Sequence, residues 1–410
     1  AETETFDFKN GHPPDDQVFP EYLKQSLDHA LSIVKDKSEE NWVYRFFNFG
    51  EEQGDTTLRN DLSAYLTRNL SFTVSPENLL VTGGVSSGLY IVCKTLLLPG
   101  EHVLVEAPVN PFFVKFFKDL FLNVHFIDRH EDGTLDLDLL EATVLKHNIK
   151  AFYCAPTSHS YLCCHLPLEQ RNKLYNLSLK HKFYLLADDL YEFFYYDQDS
   201  TRIAPLSVCS DEVVSKKELH RKEVLRYDFS SNPYVISLCS VNKMINPGLR
   251  VGWIMADASV IDKAVLQGWI QSGTGGGQST TMSIVIRSYI NLGFLDKTME
   301  KNREEYKKKA KISDEILRGS EVYSYGYPDC GYFLWMKLSE KVDPKKLRLK
   351  LEKENIQVVF GDSDLPDECK DKNEYQYLAR RIRVCFVKLP TDQLMKGLKV
   401  FRKLTEDSVI

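Results

Sequence analysis

From about residue 75 the chain alternates short, continuously apolar runs with stretches of helical spacing. Apolar runs of that kind suit strands buried on both faces, and parallel neighbours need a crossover long enough to hold a helix. The pattern therefore predicts an α/β fold with a mainly parallel central sheet covered by helices. Strands are expected at 78–82, 103–106, 124–127, 150–154 and 183–187, with two more at 235–240 and 250–255 flanking a polar turn. Between 154 and 183, Leu174 and Leu177 share one helical face, which completes a strand–helix–strand unit.

The two ends differ from this block. Pro20 opens a helix with Leu23, Leu27, Ala30 and Leu31 on one face. Beyond about residue 285, charged helices at 302–317 and 344–353 mix with short strands, and a last helix starts at the N-cap candidate Thr391 and aligns Leu394, Leu398 and Phe401. The expected division is a large α/β domain at 36–285 and a smaller α+β domain built from residues 286–410 and joined by the N-terminal segment 1–35. Residues 209–230 hold five basic and five acidic side chains with few apolar ones, which reads as a solvated insertion.

Composition removes several classes of function. Lys and Arg number 52 against 58 Asp and Glu, so the net charge is −6 and neither a nucleic-acid partner nor a bulk basic surface is expected. The richest apolar stretch, 89–98, is interrupted by Lys94, so no transmembrane helix and no membrane partner is predicted. The acidic start, Ala1-Glu2-Thr3-Glu4, is unlike a targeting peptide, and nine cysteines without a C-x-x-C pair suit a reducing compartment; the cytoplasm is the expected location. His159, Cys163, Cys164 and His165 invite a metal reading, but adjacent cysteines do not easily share one tetrahedral centre and no second ligand pair follows, so no metal is expected.

Three segments carry chemistry. In the first, Ser240 ends an apolar strand, Lys243 follows on a turn, Pro247-Gly248 reverses the chain, and Arg250 and Gly252 return. An amine there can form a Schiff base with an aldehyde, while a hydroxyl and a guanidinium fork can hold a phosphate. A strand-end lysine alone is most often a solvated charge; the Pro-Gly-Leu-Arg-x-Gly spacing speaks against that. The second is Asp188, at the carboxyl end of an apolar strand where open α/β sheets bind ligands, with Tyr191 three residues on. A buried carboxylate must be paired or face a cation such as a protonated pyridine; the competing reading is a helix cap. Third, Thr82-Gly83-Gly84-Val85-Ser86-Ser87-Gly88 follows a strand and opens a helix, exposing amides that suit an anion, although such turns are common.

On these residues the chain resembles the fold-type I, pyridoxal 5′-phosphate (PLP)-dependent aminotransferases of class I and II, and among them the 2-aminoadipate and kynurenine aminotransferases. The resemblance spans nearly the whole sequence, including Asn10-Gly11-His12-Pro13, Phe49-Gly50-Glu51-Glu52-Gln53-Gly54, Gly331-Tyr332-Phe333-Leu334-Trp335 and Arg383-Val384-Cys385-Phe386. It implies the aspartate aminotransferase-like fold and a homodimer with shared active sites. It implies PLP as cofactor, with Lys243 as the Schiff-base lysine, Asp188 as partner of the pyridine nitrogen and Tyr191 as donor to the ring hydroxyl, these three being catalytic. Ser240, Arg250 and Ser86, beside Val85, would hold the phosphate, and Asn110 and Ser160 would stand at further cofactor contacts. Arg383, with Gly11, would bind the substrate α-carboxylate.

Three positions depart from the pattern. Ser160-Tyr161-Leu162-Cys163 replaces Asn-Pro-x-Gly, Asn110 stands where an aromatic residue stacks on the ring, and Phe49 replaces a tyrosine that crosses from the neighbouring subunit. A lost hydrogen bond to a charged group costs about 1.5–3 kcal/mol and a lost stack about 0.5–1.5 kcal/mol, so cofactor affinity should fall unless His159, Tyr161, Phe112 or Phe113 compensates. The resulting expectation is transfer of the α-amino group of an amino acid, 2-aminoadipate or an aromatic one, to a 2-oxo acid. The alternatives are a PLP-dependent β-eliminating carbon–sulfur lyase, motivated by the altered ring contacts, and a PLP-binding protein with little catalysis.

Overall fold

The computed structural model describes residues 4–36, 46–196, 205–211, 224–274, 278–363 and 373–410. A short strand β1 (Phe6–Asp7) and helix α1 (Pro20–Asp36) precede α2 (Thr56–Leu70). The alternating block then runs β2 (Leu79–Thr82), α3 (Val85–Leu96), β3 (His102–Ala107), α4 (Pro111–Asp119), β4 (Asn123–Asp128), α5 (Leu137–His147), β5 (Ile149–Cys154), α6 (Leu168–His181) and β6 (Tyr184–Asp188). It closes with β7 (Val235–Ser240), the single turn α7 (Val241–Met244), β8 (Gly252–Met255) and α8 (Ala258–Val265).

These strands form one seven-stranded sheet in the order β2-β8-β7-β6-β5-β3-β4, parallel except for β8, which is antiparallel to both neighbours. All seven lie within two residues of their predicted positions. The largest shift is at β8, because Arg250 is left-handed (φ 54°) and the strand starts only at Gly252. Alternation along each strand feeds two cores. Leu80, Val105, Ile236 and Ile254 meet Leu89 and Val92 of α3 and Ile261 of α8, while Val81, Leu104, Phe152 and Trp253 join the larger cluster with Leu62 of α2 and Leu174 of α6.

The remaining elements are α9 (Thr280–Asn291), α10 (Phe294–Leu317), β9 (Tyr323–Tyr325), β10 (Phe333–Leu338), α11 (Pro344–Lys353), β11 (Ile356–Gln357), β12 (Val359–Phe360), β13 (Arg381–Cys385) and α12 (Thr391–Glu406). An antiparallel sheet runs β12-β13-β10-β9, and β1 pairs in parallel with β11. Helix α10 begins earlier than predicted, after Gly293 at φ 71°.

Several expectations need correction. Thr391 is the first helical residue of α12 and not its cap; its hydroxyl donates to Glu305 Oε1 at 3.2 Å. Helix α1 packs on α9, burying Ala30 against Ile284 and Val285, but Leu27 and Leu31 remain 41% and 37% exposed, so its apolar stripe is wider than the surface it meets. The insertion at 209–230 lies mostly outside the described residues; its described ends expose Asp211, Val224, Arg226 and Asp228 but are anchored by Cys209 and Phe229, which are core residues, and by Leu225, which forms a bridge to Phe72. Strand β13 is an inner strand, flanked by β12 and β10, and its first residue, Arg381, is buried.

Candidate active site

Asp188 and Ser240 are the last residues of adjacent strands β6 and β7. Ser240 caps α7: its Oγ accepts from the amide of Asn242 at 3.1 Å and donates to the Val251 carbonyl at 2.7 Å. Tyr332 Oη donates to the Lys243 carbonyl at 2.6 Å and Asn302 Nδ2 to that of Met244 at 3.1 Å. The turn bearing Lys243 is thus tied down from both sides. Its Nζ donates to the Gly11 carbonyl. Burial lowers the Lys243 amine to about 8, with Arg383 acting in the same sense and Cys385 and Asp188 opposing.

Asp188 is buried, and Tyr153 Oη donates to its Oδ2 at 2.6 Å. The other oxygen accepts only a long 3.4 Å contact from the Leu190 amide, and the residue borders the cleft. Burial raises its pKa, opposed by the Tyr153 hydrogen bond and the charge of Lys243. The sequence reading missed Tyr153. Its signal was register: Tyr153 pairs with Leu186, two residues before Asp188, so both side chains share a sheet face.

A cleft of about 500 Å³ brings together Gly11, Asn110, Ser160, Asp188, Tyr191, Lys243 and Arg383. Asn110 Oδ1 accepts from the Phe112 amide at 3.0 Å and caps α4. The Phe112 ring is 76% exposed, whereas the Phe113 ring packs 5.0 Å from that of Tyr153. Tyr191 lies buried with its ring 5.2 Å from Tyr332, and burial raises its phenol. The guanidinium of Arg383 sits 4.8 Å from the Tyr161 ring centroid and 4.5 Å from that of Phe333.

Val85, Ser86, Ser240 and Arg250 do not line that cleft. Val85 is buried at the start of α3, Ser86 is exposed in its first turn, and Ser240 is engaged as described. Arg250 donates to the carbonyls of Gly83 and Pro247 and lines a second groove with Ser87, Tyr90 and Trp269. Gly84 makes that approach possible. It has φ 102°, and a Cβ there would lie 2.9 Å from Arg250 Nη2. Phe49 lies outside the cleft, 77% exposed.

The thiols and imidazoles flagged for a metal diverge. His159 Nδ1 accepts from the amides of Tyr161 and Leu162, both at 3.2 Å, and its Nε2 faces Glu106 at 3.4 Å. His165 faces Asp329 at 2.8 Å, and Cys163 Sγ contacts the Tyr161 carbonyl. Cys163 has φ 54°, a conformation open to the glycine of the usual motif at less cost.

The donor set fits a phosphorylated pyridine aldehyde: in the cleft an amine with a lowered pKa and a buried carboxylate with one oxygen little used, and in the second groove an arginine beside Gly84 at the start of α3. The family model for aminotransferase class I and II matches residues 18–401. The chain belongs to that family. The aromatic-amino-acid aminotransferase 1 of Thermococcus litoralis is 22% identical over 362 residues, covering 86% of this chain and 78% of its own. The α-aminoadipate aminotransferase of Thermus thermophilus, solved with N-(5′-phosphopyridoxyl)-L-leucine, matches with a TM-score of 0.76 at 22% identity over 98% of this chain and 92% of that one. An aspartate aminotransferase from the same organism, solved as a double mutant, matches with a TM-score of 0.73 at 19% identity over 98% and 92%. This family member therefore has the aspartate aminotransferase-like fold, and its cleft is the place to look for the family's chemistry.

Proposed function

We propose that the chain is a PLP-dependent aminotransferase that moves the α-amino group of an amino acid to a 2-oxo acid. The convergence of Lys243, Asp188 and Arg383 on one cleft carries the reading. PLP supplies, when bound, an aldehyde that condenses with amines and a ring that withdraws electrons from the amine-bearing carbon. Asp188 would hold the pyridine nitrogen and Tyr191 the ring hydroxyl, while Arg250, Ser86 and the α3 amides beside Val85 would take the phosphate. Ser240 supports that side as the cap of the lysine turn. Lys243, once released, would carry the proton from the substrate Cα, for which a pKa of about 8 suits neutral solution. Arg383 would receive the α-carboxylate.

The cleft would lie at the seam between 36–285 and the smaller domain made from both ends, since Gly11 and Arg383 come from the ends and Lys243 and Asp188 from the centre. The exposed Phe47 and Phe49 support a homodimer that covers them. Cysteines held as thiols throughout the described residues support a cytoplasmic setting. The names of the relatives point to an aromatic amino acid or 2-aminoadipate as donor.

Borohydride reduction with PLP, followed by peptide mapping, tests the site: label is expected on Lys243, and label elsewhere overturns the reading. Amino-acid and 2-oxo-acid panels test the reaction. Pyruvate and ammonia released from cystathionine without an amino acceptor would replace transfer by β-elimination.

A further inference from the structure

Tyr161 occupies the place of the proline in the usual Asn-Pro-x-Gly run. We infer that Tyr161 is a positioning residue whose ring, with that of Phe333, fixes the guanidinium of Arg383 in the orientation that receives a carboxylate. The inference rests on the proposed role of Arg383 and goes beyond it by naming what orients that side chain.

The polar contacts of Arg383 are weak ones. Nη1 donates to the Ser160 carbonyl at 3.3 Å and Nη2 to the Lys9 carbonyl at 3.4 Å, while the buried Nε has no partner. Among the described residues no carboxylate pairs with it. The close contacts are instead the two rings, at 4.8 Å for Tyr161 and 4.5 Å for Phe333. Aromatic faces attract and orient a guanidinium without neutralising it. A carboxylate partner would orient it equally well but compete with an incoming anion. The arrangement therefore holds the fork and leaves its charge for the ligand.

Tyr161 is itself held firmly. It is fully buried, its ring meets Trp335 edge-on at 6.2 Å, and its amide donates to His159, which faces Glu106. The loop that lost the asparagine side chain thus supplies a ring beneath the arginine and the Ser160 carbonyl beside it.

The test uses the PLP-loaded protein and two probes, 2-methylalanine and isopropylamine, which differ by the carboxylate alone and neither of which is a normal substrate. Their dissociation constants are read from the visible absorbance of the bound cofactor, and the ratio measures carboxylate recognition. Tyr161→Leu is expected to reduce the preference for 2-methylalanine about tenfold, and Tyr161→Phe to keep it within about twofold. A merely structural loss would weaken both probes together. Phe333→Leu removes the other ring and is expected to reduce the ratio likewise, so the question stays answerable if Tyr161→Leu fails to fold. The inference is overturned if the leucine variants keep the parent ratio while Arg383→Lys loses it. It is also overturned if Tyr161→Phe loses the ratio as fully as Tyr161→Leu, which would place the effect in the hydroxyl. If the parent shows no preference, or Arg383→Lys retains it, the role assigned to Arg383 fails instead.

Discussion

At Lys243 burial disfavours the ammonium, while Asp188 and Cys385 favour it. Burial prevails and leaves the midpoint at about 8, so the nucleophilic amine predominates above that pH. Replacing Asp188 by Asn removes one opposing charge and is expected to move the midpoint below 8. The pH dependence of Lys243 modification by an amine-selective reagent, without added PLP, measures it; an unchanged or higher midpoint would mean that the carboxylate is not felt at the amine. Asp188 was legible in the sequence because a charge that ends an apolar strand has to be explained, and Lys243 because of the Pro-Gly-Leu-Arg-x-Gly spacing that follows it. Tyr153 was not, since a tyrosine within the apolar run 150–154 looks like any other core residue until the register with β6 is known. The inner position of the strand bearing Arg383 was hidden for a similar reason: it depends on β12 and β10, which flank it from elsewhere in the chain.

Among the elements, β8 is tightly constrained, because it lies between β2 and β7 and its first residue has no room for a side chain. A Cβ on Gly252 would sit 2.6 Å from the Cys239 carbonyl oxygen and 2.8 Å from Gly84 Cα. Both obstacles are backbone, so no rotamer change relieves them. Gly252→Ala is expected to cost about 3 kcal/mol, read as a lower denaturant midpoint, and a variant within about 0.5 kcal/mol of the parent would contradict the packing described. Strands were easy to place because their apolar runs are short and well bounded. Helix faces were harder: the stripe on α1 marks Leu27 and Leu31 as apolar, but periodicity does not say how wide the neighbouring surface is. Charge counting at 209–230 did not show that a few apolar residues, Cys209 and Phe229 among them, anchor the described ends of a polar segment.

For the molecule as a whole, acid stability is a contest between opposite signs. Burial, then the neighbouring His147 and His102, lower the pKa of His125 below its ordinary 6.5, and burial lowers His159 further. Unfolded histidines take up protons near 6.5 while these stay neutral, so they destabilise the fold as pH falls through that value. The buried carboxyls of Glu106 and Asp189 are raised by burial, and Asp189 reaches about 7, so their effect runs the other way. His125→Gln isolates one side of the balance. Between pH 7.5 and pH 5.5 its denaturant midpoint should shift in its favour relative to the parent, and parallel shifts in the two proteins would show that His125 does not contribute.

The seven strands of the large sheet all lie between Leu79 and Met255, whereas β1 finds its partner only at Ile356–Gln357. Domains generally fold as units, N-terminal first, during synthesis, and the residues of this sheet, with Asp188 and Lys243, are all made before Arg383. The carbonyls of Lys9 and Gly11, which precede the sheet in the sequence, reach Arg383 and Lys243 only after β11 has been made to hold the strand beside them. The cleft thus closes only once residues on both sides of the large sheet have been made, and the wall that precedes the sheet in the sequence is fitted after it.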